Sequence, residues 1–116
     1  MNGMENWLDR TLEHTIPDEV IALAFNLYED GEDQWSMELV GSNSFDADDP
    51  DWVCDEVFAT RDDPYVWVQK ATWEEILQEV TVQLQTYLET GKYAEKVKSY
   101  EGIGVGFVDG EITLLP

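Results

Sequence analysis

Between Val20 and Glu29, the apolar residues Ile21, Leu23, Phe25 and Leu27 fall at every second position, the period of an extended strand. The alternate residues Ala22, Ala24, Asn26 and Tyr28 are not strongly polar, which predicts a central strand covered at least partly on both sides. Glu29-Asp30-Gly31-Glu32-Asp33 then reads as a hairpin connection, with Gly31 supplying the positive φ that tight turns need. Alternation resumes from Gln34 to Val40, with Trp35, Met37 and Leu39 inward and Ser36 and Glu38 outward. After an acidic loop at Asp46–Pro50, Trp52 to Ala59 is predicted as a third strand. It puts Val53 and Val57 on one face and Trp52, Cys54 and Phe58 on the other. Tyr65 to Val68 is predicted as a short strand.

Twice the period changes to that of a helix. Met4 to His14 places Trp7, Leu8 and Leu12 on one face, with Asn2 available as a cap, and Ile16-Pro17-Asp18 ends it. Thr72 to Thr90 carries a stripe of Trp73, Ile76, Leu77, Val80, Leu84, Tyr87 and Leu88. It opens on the capping box Thr72-Trp73-Glu74-Glu75 and closes on Gly91, suited to a left-handed C′ position. Tyr93 to Tyr100 fits a further short helix. Ile103 to Leu115 reads as a hairpin about a type I′ Asp109-Gly110 turn, with Val105 and Phe107 before it and Ile112 and Leu114 after it. Gly102, Gly104 and Gly106 leave one face of that strand bare, so a helix or side chain is expected to pack closely there. The elements predict a single α+β domain over residues 1–116. Its mostly antiparallel sheet has about five to six strands, with an N-terminal helix and one long helix, 72–90, packed on it.

Charge adds what the pattern leaves out. Twenty-six Asp and Glu oppose six Lys and Arg, for a formal net charge of −20. Five Trp, five Tyr and four Phe set this chain apart from acidic disordered tails, so the charge is expected on a folded body. Phosphate backbones and anionic membrane surfaces are disfavoured partners, because both are bound through Lys and Arg. A basic protein or a divalent cation is favoured. Cys54 is the only cysteine, which excludes an intrachain disulfide and fits a reducing compartment. The start MNGMENWLDR has neither the basic nor the apolar run of a secretory signal, and no apolar stretch approaches the ~20 residues of a membrane helix. A cytoplasmic protein is expected. Any homodimer interface is expected in the less charged C-terminal half, at the glycine strand or the Lys92–Lys98 segment.

Thirteen of the twenty-six acids, and Arg61 as the single base, lie between Glu29 and Asp63, interleaved with Trp35, Phe45, Trp52 and Phe58. Carboxylates that steer an encounter, with aromatics to anchor it, suit a surface that meets a basic protein. The candidate partner-binding residues are Phe45, Asp46, Asp48, Asp49, Asp51, Trp52, Asp55 and Glu56. Trp35 and Phe58 read as interior, while Phe45 and Trp52, flanked by acids, fit an interior or an anchoring role equally. Asp46, Asp48 and Asp51 are also oxygen ligands of the kind Ca²⁺ takes. However, Asp51 and Val57 stand where an EF-hand counted from Asp46 needs Gly and Glu. Cys54 beside Asp55 and Glu56 has the wrong electrostatics for a nucleophile and reads as a small core or half-buried residue. His14, the only histidine, sits where a cation favours the helix dipole. The spacing of Gly102, Gly104 and Gly106 is no dinucleotide fingerprint, and neither zinc spacing nor a phosphate loop occurs. The expectation is a binding protein without catalytic residues, cofactor or resident metal. A regulatory protein with another basic partner, a cation-binding protein and a small hydrolase remain as alternatives.

The segments NLYEDGEDQWSMELVG, FDADDPDWVCDEVF and GIGVGFVDGEITLL together resemble the small acidic immunity proteins of bacterial polymorphic and contact-dependent toxin systems. The resemblance is one of size, charge and layout over most of the chain. It implies a stoichiometric inhibitor that occludes a toxin domain, often a basic nuclease, with an acidic face standing in for the nucleic acid.

Overall fold

The computed structural model describes residues 3–108 and 110–115. The Asn2 cap and the Asp109 half of the expected turn lie outside the described residues. Helix α1 spans Gly3–Glu13, followed by strands β1 (Ala22–Gly31) and β2 (Gln34–Ser42). A short 3-10 helix at Pro50–Cys54 leads into β3 (Glu56–Ala59) and β4 (Tyr65–Val68). Helices α2 (Trp73–Thr90) and α3 (Ala94–Lys98) then precede β5 (Gly102–Phe107) and β6 (Thr113–Leu114).

The strands form one sheet in the order β3-β2-β1-β5-β6, with β4 pairing β2 beside its other half. Every described pairing is antiparallel except β1 with β5, which run parallel and set Phe25 beside Val105. Parallel neighbours need a long crossover, and here it contains β2 to α3. The α+β class, the mostly antiparallel sheet and both expected helices are present.

Leu23, Phe25 and Leu27 face one layer, where they pack with Trp7, Leu8 and Leu12 of α1 and Ile76, Val80 and Leu84 of α2. On the opposite face, Ala22, Ala24 and Val40 are buried under Trp52 in a second, smaller cluster. β1 is therefore a central strand covered on both faces, as its weakly polar alternate positions imply.

Several local expectations are corrected. Trp52 to Ala59 is not one strand: Asp49 caps the backbone N–H of Asp51, Pro50 opens a helical turn, and only Glu56–Ala59 is extended. Trp52 and Phe58 consequently join opposite clusters rather than one face. In the β1–β2 hairpin, Asp33 rather than Gly31 takes the positive φ, at 60°. Gly91 is extended, with φ −70°, not left-handed; a Cβ there would come 2.6 Å from the Tyr87 ring, so close approach is what demands glycine. β6 begins only at Thr113, so the second strand is shorter than the alternation through Ile112 and Leu114 implies. Trp73, expected on the buried stripe, is 52% exposed. His14 lies just past the end of α1, where Lys96 Nζ instead donates to the carbonyls of Leu12 and His14. Ser36 and Glu38, expected outward, point to the face opposite α1 and α2 but are buried.

Candidate functional site

The acidic segment after β2 is built on a wedge of two aromatic rings. Gly102 and Gly104 leave the β5 backbone bare, and the rings of Phe45 and Trp52 settle there with Ile112. A Cβ at Gly102 would overlap the Phe45 ring, and one at Gly104 would lie 2.6 Å from Ile112 Cγ2 and 3.4 Å from Trp52 Cζ2. The bare glycine face is therefore filled by side chains, and β6 pairs with β5 at Gly104 and Val105. Phe45 and Trp52 meet edge to face with centroids 5.2 Å apart. Trp52 is 4% exposed and Phe45 half-buried, so of the two proposed anchors only Phe45 has surface to offer.

Hydrogen bonds fix the loop to this wedge. Ser42 Oγ donates to the Trp52 carbonyl at 2.6 Å, and the Asn43 N–H donates to the Asp55 carbonyl at 3.2 Å. Asp46 Oδ1 accepts from the Asp48 N–H at 2.9 Å, and Asp49 Oδ1 from the Asp51 N–H at 3.0 Å. Such local side-chain-to-backbone bonds hold a loop in one conformation without secondary structure. The outcome is a shallow cleft of about 410 Å³ whose wall carries Phe45, Asp46, Asp49, Asp51, Trp52 and Asp55. Asp48 and Glu56 lie outside that wall. Sequence reasoning missed two of its members: Ser44, whose hydroxyl donates to Asp55 Oδ2 at 2.6 Å, and Cys54, which is exposed rather than core or half-buried.

The carboxylates differ in what they meet. Asp46, Asp48, Asp49 and Asp51 are exposed, and among the described residues none is paired with a Lys or Arg. Glu56 is occupied: Arg61 Nη2 and Nη1 donate to its two oxygens at 2.8 and 3.1 Å. The same guanidinium reaches Glu38, with Nε 3.0 Å from Oε1. Glu38 is 1% exposed and also accepts from the Tyr28 hydroxyl. Hydrogen bonds to Glu56 first, then to Glu38, hold Arg61 protonated even more firmly than usual. Burial, then the bond to Glu38, raises the Tyr28 hydroxyl pKa above its ordinary range. This Arg61–Glu38–Tyr28 cluster, which sequence reasoning also missed, lies on the sheet face opposite α1 and α2.

Among the described residues, no three His, Cys, Asp or Glu side chains are grouped as a metal site. No described helix is long and apolar enough to cross a membrane. Compared with protein-family models, curated proteins and solved structures, the chain matches none of them.

Proposed function

We propose that this chain binds a basic protein through the Phe45–Asp55 loop, and that it acts as a stoichiometric inhibitor, in the manner of an immunity protein that neutralises a basic bacterial toxin domain such as a nuclease. The observation that carries the reading is the set of four exposed carboxylates, Asp46, Asp48, Asp49 and Asp51, held on a fixed loop and unpaired with any described cation. A fixed array of like charges steers an oppositely charged protein without first having to be ordered. Glu56, paired with an Arg61 that it shares with Glu38, contributes less to that field than Asp46, Asp48, Asp49 and Asp51. The half-buried Phe45 ring beside them supplies apolar contact at the centre of the charge.

Affinity capture from native extract at low salt tests the reading. The expected catch is a basic protein that forms a 1:1 complex and loses its own enzymatic activity when saturated. A captured basic protein whose activity is unchanged in the complex supports the regulatory alternative instead. Recovery of acidic or neutral proteins only would refute both.

A further inference from the structure

The outer edge of β4 is a second surface, distinct from the acidic loop. Tyr65 and Trp67 turn toward the helix layer and stack on each other with centroids 5.0 Å apart. Val66 and Val68 turn to the face opposite α1 and α2 and are 61% and 75% exposed. The Gln69 N–H donates to the Asp33 carbonyl at 2.9 Å, continuing a register in which Trp67 lies opposite Trp35 and Tyr65 opposite Met37. Ladder bonds in an antiparallel pair involve alternate residues, so Tyr65, Trp67 and Gln69 bond to the β2 side. The N–H and C=O groups of Val66 and Val68 consequently point to the open edge, where β4 has no described partner strand. Natural proteins commonly blunt such an edge with lysine, proline or a bulge, and Tyr-Val-Trp-Val contains neither lysine nor proline.

Charge decides what fits. Asp62 and Asp63 precede the strand, and Glu32 and Asp33 of the hairpin lie beside its far end. Arg10 occupies Asp63, while Asp62 and Glu32 are exposed; Lys70, also exposed, follows the strand. A second copy would bring two chains of −20 together along acidic borders. We infer that the β4 edge accepts an extended segment of a basic partner, apolar on the side that meets Val66 and Val68 and carrying Lys or Arg at its ends. This is strand addition, with main-chain bonds supplying affinity and the flanking charges supplying choice of partner. It does not rest on the acidic-loop reading.

The test uses the intact chain and the peptide Lys-Thr-Val-Thr-Val-Thr-Lys, followed by amide hydrogen exchange and titration. Exchange at Val66 and Val68 is expected to slow at least about tenfold with saturating peptide. A peptide with Glu at both ends should bind at least about tenfold more weakly. Val66→Pro removes one outward N–H and should abolish the protection at Val68; Val66→Lys, which keeps that N–H, should weaken the Lys-ended peptide. Unprotected Val66 and Val68 amides at about 1 mM peptide overturn the inference. Protection that appears without peptide as the chain self-associates overturns it too, by assigning the edge to a second copy. Failure here leaves the acidic loop untouched, since Asp48→Asn/Asp49→Asn/Asp51→Asn alters that loop and not β4.

Discussion

Gly102 shows how one missing side chain builds the site. The Phe45 ring occupies the space of its Cβ, so Gly102→Ala must expel the ring or shift the strand. The expected cost is about 1–3 kcal/mol, read from denaturant unfolding, together with a change in Trp52 fluorescence as its aromatic neighbour moves. An unchanged midpoint would show that the ring does not rest on β5. Tyr87 governs behaviour in alkali. Its hydroxyl donates to Asp9 Oδ1 at 2.8 Å and accepts from the Tyr93 N–H at 3.2 Å. Burial first, then the bond to Asp9, raises its pKa above the ordinary 10.0. A folded-state pKa above the unfolded one favours the folded state while the group is protonated. That stability is complete below pH 10 and drains away as pH climbs from there through the folded value. Tyr28 and Tyr100 are raised in the same direction. Tyr87→Phe is therefore expected to cost about 1 kcal/mol at neutral pH and to flatten the alkaline fall in unfolding free energy. At this scale the sequence was only half legible. The bare face of Gly102 and Gly104 called for a close partner, and Phe45 and Trp52 were ambiguous between interior and anchor. Each was the answer to the other, but their pairing spans more than fifty residues and leaves no local trace.

Elements were most readable where several local signals agreed. In α2, the Thr72 side chain accepts from the Glu75 N–H at 3.2 Å while Glu75 Oε1 accepts from the Thr72 N–H at 2.9 Å. Thr72→Ala is expected to lower the unfolding free energy by about 1 kcal/mol in thermal or denaturant melts, and Thr72→Ser to restore most of it. Equal stability of Thr72→Ala and the parent would mean that the cap is formed but idle. The β1–β2 hairpin was equally clear from its two runs of alternation. Over Trp52 to Ala59 alternation masks a helix-start signal, the Asp49 cap with Pro50 behind it. Glu38 was placed on the correct face, but alternation reports direction and not depth. Its burial comes from Arg61 and Tyr28 folding over it, contacts set by where β3 and β4 diverge on β2.

For the whole molecule, the net charge of −20 is unevenly spent in structural terms. Arg61 is shared between Glu56 and Glu38, Arg10 engages Asp63, and Lys96 serves the end of α1. The Asp46–Asp51 loop keeps its charge, on a backbone held by its own side chains over an aromatic wedge. The helix layer and the glycine strand act as the scaffold beneath it, and β4 adds a separate apolar edge. If the loop is the surface that meets a basic protein, the field it projects must appear in the rate of encounter. The direct measurement is the association rate of the captured partner with the parent chain and with Asp48→Asn/Asp49→Asn/Asp51→Asn, which keeps the Asp49 cap. Both are followed from about 20 mM to about 300 mM salt. The parent rate is expected to fall at least about tenfold over that range, with the variant slower at low salt and much flatter. Superimposable rates for the two chains at every salt concentration would contradict the account.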